Sequence, residues 1–249
     1  MRIDFNCDLG EGCGDDAAII PLITSASIAC GGHAGDEATM RTTLRLCREH
    51  GVAAGAHPGY VDRENFGRHE MPLAAARIGE LVEHQLATLA DIAASEKMRL
   101  AHVKPHGALY NLAARDRSVA EAIAGAIVRF DPRLVLFGLS GSRLTAAGEA
   151  AGLRVAHEVF AERRYEADGT LTPRSRGDAV IHDLDETIAQ VRGFVRDGGV
   201  TARTGERLAL RADTLCLHGD RADAAAFARS IRDALESDGI RILPVGASA

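Results

Sequence analysis

The chain has 249 residues, 46% of them hydrophobic and 26% charged, with a formal net charge of -6 at pH 7. That length suits one large α/β domain that buries its core without a disulfide or metal staple, and the acidic balance, with no basic run, excludes nucleic acid as a partner. No apolar run approaches membrane length and acidic residues come too early for a secretory leader, so a cytoplasmic chain is expected, with cysteines 7, 13, 30, 47 and 216 reduced.

Ile3 to Cys7 alternates as a first strand and ends at Asp8-Leu9-Gly10-Glu11. Ser25 to Cys30 reads as a second strand running into the glycine-rich turn Gly31 to Asp36. A helix follows with Met40, Leu44 and Cys47 on one buried face, and Gly51 stops it. Val52 to Ala56 gives strand three, ending at His57-Pro58-Gly59-Tyr60, and a polar loop covers Val61 to Met71. The longest helical pattern spans Pro72 to Glu96, with proline suited to its first turn.

Leu100, His102 and Val103 form strand four, which Lys104-Pro105 ends and His106-Gly107 follows, with Ala108 to Asn111 turning away. Asp116 caps a helix whose inner side is Val119, Ile123, Ile127 and Phe130. Leu134 to Leu139 is nearly all apolar, as a strand covered on both faces should be, and a short helix runs from Arg143 to Ala151. Arg154 to Phe160 is strand six, containing Glu158, with a polar loop from Ala161 to Asp178 beyond it. A helix marked by Ile188, Val191 and Val195 precedes strand seven, Thr214 to Leu217, which ends at His218-Gly219-Asp220. Ala224, Phe227, Ile231 and Leu235 mark the last helix, and Ile240 to Val245 a final strand. Strands alternating with helices predict a parallel sheet, and seven or eight units in one domain favour a closed barrel over an open doubly wound sheet.

A parallel barrel builds its site at the carboxyl ends of its strands. There the sequence places Asp8, Glu11, His33, Asp36, His57, Lys104, His106, Glu158, His218 and Asp220. Lys104 is one of only two lysines, against 27 arginines, which hints at a need for a compact ammonium. Blander readings stand beside these. Asp8 and His57 serve a turn, Glu158 is a core carboxylate paired to an arginine such as Arg163, and the cysteines, Cys30 included, are small buried side chains. The mix fits acid/base activation of water on a carbonyl, a clamp on a carboxylate or phosphoryl group, or a metal centre. No HExxH or HxH pair anchors a metal and no phosphate loop is present, so no tightly bound metal is expected.

Longer blocks add to this. Asn6 to Glu11 (NCDLGE), Ser25 to Asp36 (SASIACGGHAGD), Gly55 to Pro58 (GAHP), Asn65 to Arg68 (NFGR), Val103 to Asn111 (VKPHGALYN), Glu158 to Tyr165 (EVFAERRY) and Cys216 to Asp220 (CLHGD) together resemble the LamB/YcsF family, in order along nearly the whole chain. Two positions depart from the family pattern: Glu162 stands where an aspartate is usual, and Gly32 where an aromatic is usual.

The resemblance implies one domain, residues 1–249, folded as a distorted (β/α)7 TIM-like barrel of the glycoside hydrolase/deacetylase type. It also implies cleavage of 5-oxo-L-proline to L-glutamate coupled to hydrolysis of ATP, taken with magnesium, and two other 5-oxoprolinase subunits as partners. On that reading Lys104 stabilises charge on the lactam oxygen or phosphoryl group and His106 or His218 moves protons, oriented by Asp8 or Glu158. Arg163 holds the substrate carboxylate, with His33, His57 and Asp220 completing the pocket. A metal-dependent amide or deacetylase-type hydrolase and a non-catalytic binding scaffold are the alternatives. A partner surface is expected on the loops 61–71 and 161–178, with Phe66 as its anchor.

Overall fold

The computed structural model describes residues 1–219 and 223–246. Its strands in chain order are β1 (Arg2–Leu9), β2 (Ser25–Ala29), β3 (Ala53–His57), β4 (His102–Val103), β5 (Val135–Leu139), β6 (Arg154–Phe160), β7 (Gly199–Thr201), β8 (Arg207–Ala209), β9 (Thr214–His218) and β10 (Arg241–Ile242). β1 to β6 and β9 run parallel, each beside the next, and β9 returns to β1 to close a seven-stranded ring. β10 pairs with the start of β1, and β7 with β8 forms a separate antiparallel hairpin. The expected distorted (β/α)7 barrel is the observed fold.

Helices α1 (Asp16–Ile19), α2 (Glu37–His50), α3 (Ala75–Ser95), α4 (Gly107–Arg115), α5 (Arg117–Phe130), α6 (Arg143–Ala150), α7 (Leu184–Asp197) and α8 (Ala224–Ser237) surround the ring. Their ends follow local chemistry. The Asp36 carboxylate accepts from the Thr39 amide to start α2, and Gly51 ends it in the left-handed region at φ 68. Asp116 caps α5, as its sequence predicts. Inward faces are aliphatic, Ile78, Val82, Leu86 and Leu89 on α3 against Val119, Ile123 and Ile127 on α5, and all are fully or nearly buried. Among the described residues no helix is long and apolar enough to cross a membrane.

Three expectations shift. α3 begins at Ala75 rather than Pro72, because Ala74 is still extended at its N-cap. Ala108 to Asn111 lie inside α4 instead of in a turn; Gly107 takes φ 53, so the chain reverses within one residue of Pro105-His106 and helix-forming side chains continue. The terminal strand shrinks to Arg241–Ile242, which pair with Arg2 and Ile3 of β1, with a further backbone bond from the Leu243 amide to the Ile3 carbonyl.

The interior of the ring is unusual for such a barrel. Along β1, Asp4, Asn6 and Asp8 share one face, while Ile3, Phe5, Cys7 and Leu9 share the other. All seven are buried. Polar groups thus replace much of the branched aliphatic filling that such barrels carry. Gly55 on β3 makes room for one of them: a Cβ there would stand 2.2 Å from the His102 ring, which lies 3.3 Å from Ser27 Oγ and stacks on Phe137.

Candidate active site

Lys104, at the end of β4, reaches the barrel axis with 2% of its surface exposed. Its Nζ lies 2.8 Å from Asp8 Oδ1, 2.8 Å from Glu158 Oε1, 3.2 Å from Asn6 Oδ1 and 3.1 Å from Cys216 Sγ. An ammonium has three protons, so these acceptors use every one of them. Glu158 also accepts from Asn6 Nδ2 and from the Tyr110 hydroxyl, at 3.0 and 2.7 Å. Asn6 donates on to Thr214 Oγ1, whose own proton goes to Asp4 Oδ2 at 2.5 Å. Asp4 Oδ1 takes the Thr24 and Ser25 hydroxyls, each at 2.7 Å.

Of the three buried carboxyls Lys104 pairs with two, Asp8 and Glu158, while Asp4 has only hydroxyls, and the protons distribute accordingly. Burial pushes Asp4 up to about 6, only partly offset by the Thr214, Ser25 and Thr24 hydroxyls. Burial also works against Asp8, but His57 and Lys104 outweigh it and hold that carboxyl well below the usual range. Lys104 stays charged: desolvation opposes its charge, and Asp8, Cys216 and Glu158 more than restore it. The Cys216 thiol is driven up by burial despite Lys104, and burial lifts Cys30 to about 12, so neither is set up as a nucleophile.

Beside this axis stand three histidines. His33 and His106 stack face to face with centroids 3.6 Å apart, and His57 meets both edge-on. Glu11 Oε1 lies 3.1 Å from His33 Nε2, 3.4 Å from His106 Nδ1 and 3.9 Å from His57 Nε2. The outer nitrogens are tied to backbone: His57 Nδ1 to the Lys104 carbonyl at 2.7 Å, and His106 Nε2 to the Phe66 carbonyl at 2.8 Å. Burial, with His57 nearby, lowers His33 to about 2 and holds His106 well below its ordinary value. Burial lowers His57 too, but the Asp8 carboxylate outweighs it and the net shift is upward.

Phe66 closes this cluster. It takes φ 54, its ring packs edge-on against His33 and His106, and the Arg68 guanidinium lies 4.9 Å over it. Phe66 is half-buried and braces the histidines, and Val61, 65% exposed, is the large apolar residue that this loop presents to solvent.

A cavity of about 420 Å³ opens above both clusters. Asp8, His57, Lys104, His106 and His218 line its inner part, with Arg68, His69, Arg163 and Arg174 among the other walls. His218 Nδ1 bonds to Glu162 Oε1. Burial raises the Glu162 carboxyl, and His218 more than reverses that, leaving it below its ordinary value. Arg163 is 4% exposed and donates to the carbonyls of Thr172 and Ala179. Burial, with Arg174 close, lowers it to about 10, still charged at neutral pH.

The strand-end positions therefore converge, with three revisions. Glu158 has no exposed surface and faces Lys104, Asn6 and Tyr110, so it neither pairs with Arg163 nor borders the cavity. Glu162, not Asp8 or Glu158, is the carboxylate that holds His218. His33 lies behind His106 and is absent from the cavity wall. Asp220 lies outside the described residues. Asn6, Tyr110 and Glu162 are site residues that strand-end position does not pick out; all sit inside the quoted family blocks, the one signal that points to them. Gly32 is also accounted for: the amide of Gln85 stands where its Cβ would point, at 2.8 Å, and bonds both the amide and the carbonyl of Gly59.

Closed parallel ring, helices outside and a polar mouth at the strands' carboxyl ends define a TIM-like barrel of the deacetylase type. Peptidoglycan deacetylase PdaC from Bacillus subtilis shares that fold with a TM-score of 0.50 at 14% identity, over 98% of this chain and 87% of that one. The chain belongs to the LamB/YcsF family, whose model matches residues 3–249. It is 54% identical over 245 residues to a 5-oxoprolinase subunit of Bordetella pertussis, covering 96% of this chain and 97% of that protein. The lactam utilization protein from Thermus thermophilus superposes with a TM-score of 0.91 at 42% identity, covering 98% of this chain and 99% of that one.

Proposed function

We propose that the chain is a subunit of an ATP-dependent 5-oxoprolinase that cleaves 5-oxo-L-proline to L-glutamate, acting in the cytoplasm with two partner subunits. The near full-length similarity to proteins named as 5-oxoprolinase subunits carries this reading, and the chemistry of the cavity supports it. The substrate is a small anion with one resonance-stabilised amide in an unstrained ring. Arg163, with Arg68 and Arg174 beside it, offers cationic groups for the carboxylate. Phosphoryl transfer from ATP to the lactam oxygen makes the ring carbon electrophilic. Water then adds, passing its proton to His218, which Glu162 orients. The C–N bond breaks as a proton returns to nitrogen, and a second water releases phosphate from the acyl phosphate so formed. The protons of Lys104 are taken up by its buried acceptors, so its part is to keep Asp8, which lines the cavity, ionised.

A second reading, amide hydrolysis without ATP, is favoured by the histidine cluster. The two separate cleanly. Glutamate and ADP release from 5-oxoproline are measured for the chain alone and with both partners, with and without ATP. Little turnover by the lone chain, and activity requiring ATP and both partners, is expected. ATP-independent turnover by the purified chain would instead establish the amide hydrolase, and a fully active complex carrying His218→Ala would reduce this chain to a binding scaffold.

A further inference from the structure

We propose that Glu11, His33, His57 and His106 form a site for one first-row divalent transition cation, of the class that zinc and cobalt represent. The four residues come from the loops after β1 and β2, the end of β3, and the turn between β4 and α4. No local spacing joins them, which is why the sequence argued against a tightly held metal. The fold nevertheless brings one ligand atom from each to within 4.8 Å of the others.

Hydrogen bonds on the far side of two of the rings fix where their lone pairs point. His57 Nδ1 and His106 Nε2 each lie against a backbone carbonyl, which can only accept, so both of these outer nitrogens carry the proton. In the neutral rings His57 Nε2 and His106 Nδ1 are then bare, and they face each other at 2.9 Å. Glu11 Oε1, another acceptor, lies 3.4 Å from His106 Nδ1 and 3.1 Å from His33 Nε2. Neutral His33 can give an Nε2 proton to Glu11, and a proton on His57 Nε2 meets both His106 Nδ1 and Asp8 Oδ2. Even so, His106 Nδ1 and Glu11 Oε1 still face each other as acceptors. A cation at the centre satisfies all four atoms at once.

Dimensions and charge agree. Metal bonds of about 2.0–2.2 Å in a tetrahedron set its ligands about 3.3–3.6 Å apart, and the distances of 2.9, 3.1, 3.4 and 3.9 Å bracket that spacing. Two of the three imidazoles, His57 and His106, are held by carbonyls on their far side, the usual support of such a centre. Beside it, the carboxylates of Asp8 and Glu158 share the Lys104 ammonium, and Glu11 brings a further carboxylate against the imidazoles, an anionic setting that suits a cation. Three nitrogens and one oxygen select a transition metal over magnesium or calcium, which prefer oxygen throughout. His57 and His106 also line the cavity, so the cation would stand at its wall, able to polarise a carbonyl or a water.

The site is tested without any substrate, so its fate is separate from that of the lactam reading. The full chain, with any affinity tag removed, is stripped with chelator and titrated with Co2+. One equivalent is expected, with the visible ligand-field absorption of a four-coordinate nitrogen/oxygen site and a raised melting temperature. Glu11→Gln and His33→Asn should each weaken binding at least about a hundredfold, whereas His218→Ala, in the neighbouring Asp8–Cys216–His218 group, should leave the stoichiometry intact. Wild-type chain that shows no such absorption at millimolar Co2+ overturns the site, and that result needs no variant to fold. So does a spectrum kept by Glu11→Gln but lost in His218→Ala, which would move the cation to the other group.

Discussion

Two polar clusters share one rim and are joined through Asp8, whose Oδ1 meets Lys104 and whose Oδ2 lies 3.3 Å from His57. They are built on opposite principles. Along the axis, from Asp4 through Thr214, Asn6 and Glu158 to Lys104, donors and acceptors alternate and the ammonium is used up. In the histidine cluster the acceptors converge on one another. The first is complete in itself and so serves to hold geometry and charge; the second is the one that the proposed cation would complete. Buried polar groups that are fully satisfied specify a structure, whereas groups left facing each other mark a place where binding recovers the cost.

Breaking the closed cluster should have the largest effect. Lys104→Met leaves Asp8 and Glu158 buried without their counter-charge, and a loss of about 3–5 kcal/mol in urea unfolding is expected. Lys104→Arg keeps the charge but brings a planar group into a space shaped for a compact one. Activity of the complex should fall at least about tenfold, or about 1.4 kcal/mol. Wild-type stability in Lys104→Met would mean that the carboxyls had other support, and the contrast between the clusters would fail.

Asp4 gives the next effect, and its sign follows from its position. Its folded pKa of about 6 lies above the ordinary 3.8. It therefore contributes stability that is fully present below the unfolded value and is lost as pH rises through the folded one, by about 3 kcal/mol in all. Asp4→Asn cannot lose a proton. The variant should gain on the wild type by most of that amount, about 2.4 kcal/mol, between pH 4 and pH 7.5, read from paired urea titrations. A constant gap across that window would show that Asp4 is already ionised throughout.

The histidine cluster can be disturbed without touching a ligand. Gly67 sits at φ 62, and a Cβ there would stand 2.7 Å from His33 Cβ and 3.0 Å from His106 Cδ2. Gly67→Ala should cost about 1–3 kcal/mol from overpacking and backbone strain, and should weaken Co2+ binding in step. Unchanged cobalt affinity with lowered stability would mean that the stacked pair is held by the barrel rather than by this loop.

What the sequence made legible follows the same division. In a parallel barrel every strand's carboxyl end reaches one rim, so Asp8, His57, Lys104 and His218 could be gathered by position alone. Direction across a strand was harder. Glu158 stands within two residues of the end of β6, yet points at the axis, where Asn6, Tyr110 and Lys104 receive it. Glu162, in the loop just beyond, does the work assigned to it. The Glu11–His33–His57–His106 grouping left no trace in spacing, because four separate chain segments supply one ligand each.

Arg163 offers the smallest effect and the cleanest separation of the cavity from both clusters. Its guanidinium lines the cavity, no carboxylate among the described residues pairs with it, and two of its nitrogens are occupied by the Thr172 and Ala179 carbonyls. A cation held this way, in a wall with Arg174 near it, is arranged to take an anion from outside. Arg163→Gln keeps much of the volume and the capacity to donate to carbonyls, and removes only the charge. If Arg163 binds the substrate carboxylate equally in ground and transition states, KM for 5-oxoproline should rise about tenfold while kcat holds, since uniform binding is what has been lost. Stability and cobalt affinity should stay at wild-type values, because neither cluster includes Arg163. An unchanged KM with a lowered melting temperature would make Arg163 a brace for the loop 161–178, and the substrate's carboxylate would have to be sought at Arg68 or Arg174.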